Sequence, residues 1–174
     1  QGTVTQLEAP GTTTACDLDG DGRADLIAGT YHGGGGDTSL GSHAVRFYRQ
    51  ATDGTFTEAT RIDVNPAWVG GGAFQIVCGD INGDGRNDVM VGWEVSGGPD
   101  SGPFLQIFRN DGGFHFTDIT LAARGTYDGS VFTNGRTTGF GAMQLVDFNG
   151  DGYPDILLRP QDIGTDLIAS ATTS

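Results

Sequence analysis

The chain has 174 residues, of which 31 are Gly and 6 are Pro, and its formal net charge at pH 7 is −13. This length predicts one domain with a buried core. The negative charge disfavours nucleic acid and anionic membrane surfaces as partners, and no stretch approaches the roughly 18 apolar residues of a membrane-spanning helix.

The first half of the chain predicts five short strands. Residues 2–8 form an alternating, β-prone segment, and residues 12–16 and 25–30 flank an acidic loop. After a Gly-rich stretch, residues 44–49 and 55–60 predict a hairpin around the turn Asp53-Gly54.

The same order of elements then returns twice. Predicted strands cover residues 73–79, 89–93, 104–109 and 114–120, and then 141–146, 155–158 and 166–169. The acidic loops begin 63 and 67 residues apart. A period of this size with four antiparallel strands predicts β-propeller blades, about three in this chain, in an all-β fold.

The three acidic loops share the pattern D-x-[DN]-G-D-G-x-x-D and begin at Asp17, Asp80 and Asp147. Oxygens at positions 1, 3, 5 and 9 can converge on one point, and Gly at positions 4 and 6 permits the positive φ angles of a tight loop. Such an oxygen cage suits calcium better than magnesium. The loop opens like an EF-hand, but it ends after nine residues without the twelfth-position Glu. A metal-free Asx turn is the alternative, which three copies in register disfavour.

These loops resemble the FG-GAP repeats of integrin α-chain propellers and of secreted propeller lectins, and 139–142 and 72–74 resemble the Gly-aromatic lead-in of that family. The resemblance implies one domain of three repeats, at about 9–62, 72–120 and 139–174, with 1–8 as an outer strand of a neighbouring blade. It implies three calcium sites in which the seventh residue of each loop offers its backbone carbonyl. The implied ligands are Asp17, Asp19, Asp21, Arg23, Asp25, Asp80, Asn82, Asp84, Arg86, Asp88, Asp147, Asn149, Asp151, Tyr153 and Asp155.

The loops hold ten of the 22 acidic residues, so three bound divalent cations would leave a net charge of about −7. We therefore expect mutual repulsion between the loop carboxylates to strain the ion-free protein.

Because strands alternate in direction, the acidic loops and the short turns should lie at one end of the blades and the long connections at the other. The long connections are the predicted binding face for a carbohydrate or a protein surface. The candidate ligand-binding residues there are Tyr31, His32, Trp68, Trp93, Glu94, Tyr127 and Arg136. Alternatively, the two Trp side chains pack between blades.

Cys16 and Cys78 end the first strands of neighbouring units. They predict either a disulfide between adjacent blades or two buried free thiols. Gln1 at the start of the chain and the absence of an apolar signal segment predict that the natural start has been removed, either by a signal peptidase or by deliberate shortening of the chain. Together with the calcium motif they predict a secreted protein.

Function is predicted as a non-catalytic, calcium-stabilised lectin or adhesion module, because His32, His43 and His115 are isolated and no catalytic motif is present. The alternatives are a structural assembly module and a non-catalytic fragment of a larger secreted enzyme. Three blades are too few for a closed propeller. We therefore expect two chains joined head to tail through strand exchange, a larger assembly, or a longer chain.

Overall fold

The computed structural model describes residues 9–32, 44–63, 71–95, 102–120, 140–160 and 167–169. Eleven strands lie in these ranges, and every pair of neighbouring strands is antiparallel. They are β1 (Ala9–Cys16), β2 (Asp25–His32), β3 (Ala44–Gln50), β4 (Phe56–Asp63), β5 (Gly71–Gly79), β6 (Asp88–Val95), β7 (Gly102–Gly112), β8 (His115–Asp118), β9 (Phe140–Val146), β10 (Asp155–Pro160) and β11 (Leu167–Ala169).

The strands form the predicted blades. Blade 1 is β1 to β4 and blade 2 is β5 to β8, each with consecutive strands paired in sequence order, and blade 3 contributes β9 to β11. A short pairing of Tyr31 with Gly72 and of His32 with Gly71 joins β2 to β5. The all-β, four-strand repeat is thus confirmed, and the described blades do not close a ring. Residues 1–8, predicted as an outer strand, lie outside the described residues.

Most strand ends differ from the prediction by one to three residues, and the start of β8 is the case with a clear cause. Phe114 was expected in the fourth strand of its unit, but it has a φ of 62° and lies in the turn between β7 and β8. Its side chain is buried, and its carbonyl oxygen accepts a hydrogen bond from Thr60 Oγ1 of blade 1 at 2.7 Å. Contact with the neighbouring blade therefore overrides the local strand pattern at this residue.

The hydrophobic core lies between blades. Alternate residues of β6 point in opposite directions, so Val89 and Val91 pack towards blade 1 while Met90 packs with Met143 towards blade 3. Between blades 1 and 2 the rings of Phe47 and Phe116 stack with centroids 4.3 Å apart. Both faces of β6 in blade 2 are thus buried, one towards blade 1 and the other towards blade 3, because successive side chains of a strand point to opposite faces.

Blades 1 and 2 approach closely where β2 faces β5. A Cβ added to Gly29 would lie 2.3 Å from Cβ of Ala73, so only Gly fits there. Nearby, Cys16 and Cys78 form a disulfide with their Cα atoms 6.4 Å apart. The first of the two alternatives left open by the sequence is therefore the one found.

A buried amide also holds the two blades together. Asn110 at the end of β7 is fully buried, and its Nδ2 donates to the carbonyl oxygens of Leu18 at 2.8 Å and Asn87 at 3.0 Å. Its Oδ1 accepts the Gly112 N–H at 2.9 Å. Asn87 Nδ2 adds a bond to the carbonyl oxygen of Asp17 at 2.8 Å. Side-chain amides of blade 2 thus donate hydrogen bonds to backbone carbonyl oxygens of the first acidic loop, in blade 1.

We expect Asn110→Ala to lower the free energy of unfolding by about 3 kcal/mol, because it leaves buried carbonyl and N–H groups without partners. Urea denaturation would measure this loss. Gln50→Ala is the matched control, since Gln50 ends β3 at the equivalent position and its backbone bond is kept. Equal losses in the two variants would contradict a special role for Asn110.

Within the described residues, no helix is long and apolar enough to cross a membrane.

Candidate metal centre

Each acidic loop is wound by hydrogen bonds to the carboxylate of its first residue. In loop 1 (residues 17–25), Asp17 Oδ1 accepts the N–H groups of Gly20 at 2.8 Å and Asp21 at 3.1 Å, and Oδ2 accepts that of Gly22 at 2.9 Å. Asp80 in loop 2 (residues 80–88) and Asp147 in loop 3 (residues 147–155) make the equivalent bonds at 2.7 to 3.2 Å. The three backbones therefore adopt one conformation.

Glycine makes this winding accessible. Gly20 and Gly22 have φ angles of 76° and 83°, in the left-handed region that other residues rarely adopt. The glycines at positions 4 and 6 of loops 2 and 3 have φ angles between 74° and 90°. This confirms the conformation predicted from the glycine spacing.

The side chains at positions 1, 3 and 5 of loop 1 converge. In loop 1, carboxylate oxygens of Asp17, Asp19 and Asp21 lie within 4.8 Å of one another. Loops 2 and 3 have Asn at position 3, and the Oδ1 atoms of Asn82 and Asn149 accept the N–H of the position-5 residue at 2.9 and 2.8 Å, as Asp19 Oδ1 does at 3.3 Å. The donor set is all oxygen, which fits a hard cation such as calcium. Ion binding by these side chains stays a prediction.

The position-9 carboxylates are buried and anchor each loop to its blade. Asp25 Oδ2 accepts the Leu18 N–H at 3.0 Å, and its Oδ1 accepts the Gln50 N–H at 2.9 Å. Asp88 is held likewise by the N–H groups of Ile81 at 3.2 Å and Asn110 at 2.8 Å. Burial raises the pKa of Asp88, and these N–H groups only partly offset that rise. Position 9 thus contributes to loop architecture as well as to the predicted cage.

The seventh positions were predicted to offer only backbone carbonyls, yet two of their side chains contact the cage. The Arg23 guanidinium contacts Asp21 Oδ2, and Arg86 NH2 lies 2.5 Å from Asp84 Oδ2. Each arginine also donates from Nε to a carbonyl at the end of the third strand, at 3.2 Å in blade 1 and 2.7 Å in blade 2. In loop 3, Tyr153 instead packs against Gly83 of loop 2.

Arg49, at the end of β3, is a residue that the sequence reasoning missed. Its Nε lies 2.7 Å from Asp19 Oδ2 and its NH2 lies 3.6 Å from Asp21 Oδ2. The pKa of Asp21 is lowered: burial acts to raise it, but hydrogen bonds and the charges of Arg23 and Arg49 outweigh burial. The repulsion expected among the carboxylates of the ion-free loop is therefore partly offset within the protein.

The predicted ligand-binding face is only partly described. Trp68, Tyr127 and Arg136 lie outside the described residues. The backbones of Tyr31, His32 and Glu94 lie at the ends of β2 and β6 opposite the acidic loops. The assignment of Trp93 to this face is not supported: its side chain is 1% exposed, lies in the core between blades 1 and 2, and donates from Nε1 to Gln106 Oε1 at 3.1 Å. Trp93 therefore packs between blades, which is the alternative that the sequence left open.

Comparison with known proteins supports the reading of the loops. Residues 17–91 match the family model of the FG-GAP-like repeat. The match begins at the first residue of loop 1, contains loop 2 and ends in β6. No curated protein matches the chain.

Proposed function

We propose, with the FG-GAP-like repeat of residues 17–91 as the premise, that the chain is a secreted, non-catalytic binding module whose blades are stabilised by calcium. FG-GAP repeats typically build propeller-type binding and adhesion modules. The observation that carries the calcium proposal is the winding that the three loops share, which in loop 1 brings carboxylate oxygens of Asp17, Asp19 and Asp21 within 4.8 Å of one another.

Calcium accepts six to eight oxygens in an adaptable geometry, and carboxylate, amide and backbone oxygens are all present in the loops. Asp17, Asp19, Asp21 and Asp25 would hold the ion in loop 1, and the residues at the same positions would hold it in loops 2 and 3. The bound ion would neutralise carboxylates at the junctions between blades. In the proposal this makes calcium a stabiliser of the scaffold rather than a reactant.

Calorimetric titration of the chelator-treated protein with calcium is expected to give three ions per chain. Asp151→Ala should reduce the number to two, because it removes a position-5 carboxylate of loop 3. Asp53→Ala is the control: Asp53 accepts the Thr55 N–H at 3.0 Å in a hairpin turn outside the loops, and its removal should leave three ions. A titration without saturable binding would contradict the proposal.

For the ligand, we propose a carbohydrate or a protein surface bound at the blade ends opposite the acidic loops. In support, Tyr31 pairs with Gly72, and Gly72 pairs with Glu94, so an aromatic and an acidic residue share one row across three strands. Tyr and Glu are residue types that can stack on the rings of sugars and hydrogen-bond to their hydroxyl groups. A glycan array probed in calcium tests the carbohydrate class. Failure on all sugars would leave the protein-surface class.

We also propose that a second copy of the chain completes the propeller. The supporting observation is the exposure of the apolar residue at position 2 of the loops. Leu18 of loop 1 packs against blade 2 and is 2% exposed. In loop 3 the equivalent Phe148 is 50% exposed, and Val146 beside it is 39% exposed. An apolar face of this kind favours burial against another blade. Light scattering should give a dimer or larger species, and deletion of residues 1–8 should abolish it. A monodisperse monomer of the intact chain would contradict the proposal.

A further inference from the structure

The three loops differ in how their carboxylates are neutralised inside the protein. Loop 1 has four Asp residues, whereas loops 2 and 3 have three and an Asn at position 3. The additional carboxylate of loop 1 is Asp19, and it is the one that Arg49 contacts at 2.7 Å through Oδ2. Its other oxygen, Oδ1, accepts the Asp21 N–H. Arg49 therefore contacts the Asp19 oxygen that is not used in winding the loop.

The two oxygens of Asp21 are likewise divided between a backbone N–H and guanidinium groups. Its Oδ1 accepts the Arg23 N–H at 3.0 Å, and its Oδ2 faces the guanidinium groups of Arg23 and, at 3.6 Å, of Arg49. The Asp19 and Asp21 side chains are only 11% and 20% exposed, whereas Arg49 is 55% exposed. Arg49 thus reaches from solvent onto two partly buried carboxylates, at the Oδ2 atoms, whereas the Oδ1 atoms accept backbone N–H groups of the loop.

The equivalent arginine of blade 2 pairs with a carboxylate outside the acidic loop. Gln50 and Asn110 both donate a backbone N–H to the position-9 Asp of their loop, so the residues before them, Arg49 and Arg109, are structural equivalents. Arg109 Nε pairs with Asp111 Oδ1 at 2.7 Å, outside loop 2. The residue after Gln50 is Ala51, which has no carboxylate to offer. Two differences therefore accompany the two positions of the guanidinium: loop 2 has Asn82 where loop 1 has Asp19, and blade 2 has Asp111 where blade 1 has Ala51.

We infer that Arg49 is an internal counter-cation of loop 1, which occupies the cation-binding oxygens of Asp19 and Asp21 and must be displaced when a divalent ion binds there. This inference rests on the proposed calcium function. It adds that Arg49 lowers the calcium affinity of loop 1 and does not affect that of loops 2 and 3. A half-exposed arginine is mobile enough to be displaced, and its exposed ion pairs are weak in water. Loop 1 is therefore ordered without the ion and binds the ion more weakly than its four carboxylates would otherwise allow.

The test needs a signal from each loop, and the glycine amides at positions 4 and 6 supply it. Calcium is titrated into the isotope-labelled full chain while nitrogen–proton correlation spectra are recorded. Gly20 and Gly22 report loop 1, Gly83 and Gly85 report loop 2, and Gly150 and Gly152 report loop 3. In Arg49→Gln we expect loop 1 to bind calcium roughly three- to fivefold more tightly, the range set by a weak exposed ion pair. Loops 2 and 3 should be unchanged.

Arg109→Gln is the matched control, because it removes the same charge from the equivalent position without touching a loop. It should leave all three affinities as in the wild type. Ala51→Asp is a second variant: it offers Arg49 the partner that Asp111 offers Arg109, and should also tighten loop 1. Because the new carboxylate also adds negative charge, Ala51→Asp is made both in the wild type and in Arg49→Gln. The gain in calcium affinity of loop 1 in the double variant should be smaller than the product of the gains in the two single variants, since both changes act through Arg49.

An unchanged or weakened loop 1 in Arg49→Gln, while loops 2 and 3 still titrate, would overturn the role of Arg49 and leave the calcium proposal standing. The same change of affinity in loop 2 of Arg109→Gln would overturn it too, by showing a general effect of surface charge. If none of the six glycine amides responds to calcium, both the calcium proposal and this inference fail.

Discussion

Chelation of calcium with EGTA is expected to lower the melting temperature of the protein by tens of degrees. An ion that binds only the folded state adds about 2.7 kcal/mol at a hundredfold excess over its Kd. In a domain of this size, 1 kcal/mol moves the melting temperature by roughly 2–4 °C, so each occupied loop would contribute about 5–10 °C. The effect should be large because the loops lie at the junctions between blades, where Asp17 and Leu18 carbonyls accept bonds from blade 2.

Differential scanning calorimetry with and without EGTA measures the loss, and re-addition of excess calcium should restore the original melting temperature. Asp151→Ala should recover only part of it, because one loop has lost a ligand. Asp53→Ala, changed outside the loops, should recover all of it. A melting temperature that EGTA leaves unchanged would refute calcium-dependent stability.

Loss of the Cys16–Cys78 disulfide is the second large effect we expect. The bridge joins residues 62 apart in the chain, and a closed loop of that length restricts the unfolded state by about 4 kcal/mol. The double variant Cys16→Ser/Cys78→Ser should therefore melt roughly 8–16 °C lower than the wild type in saturating calcium. Its blades should remain, since the core between them is not formed by the disulfide alone.

The control for this experiment is reduction of the wild-type protein. Dithiothreitol should reproduce the loss of stability in the wild type and should not affect the double variant. A free-thiol count on the denatured, unreduced wild type should be zero. Two titratable thiols there would contradict the disulfide.

Much of the fold could be predicted from the sequence because the information was local and repeated. The apolar run after each loop, the D-G and D-G-G turns, and the return of both at intervals of 63 and 67 residues predicted the described strands nearly to their ends. The winding of the acidic loops was equally predictable, since the hydrogen bonds to the first Asp of each loop join residues at most five positions apart.

The tertiary structure decided what depends on contacts between blades. Trp93 looks like a ligand-binding residue in a long-loop region, but the alternation of β6 turns it into the core towards blade 1. Phe114 follows a strand pattern, but packing against blade 1 places it in a turn with positive φ. The pairing of Cys16 with Cys78 was one of two alternatives until the distance between the first strands was known.

Arg49 shows most clearly what could not be predicted from the sequence. Its neighbours in sequence are Tyr48 and Gln50, and nothing within the local pattern assigns it to an acidic loop that ends 24 residues earlier. Antiparallel pairing of β2 with β3 brings the end of β3 beside loop 1, and the absence of a carboxylate at Ala51 leaves the guanidinium free to reach Asp19. The sequence alone determined the strands, turns and loops, because neighbouring residues specify them. Only the tertiary structure decided which distant charges, thiols and rings meet, because strand pairing and blade packing set those distances.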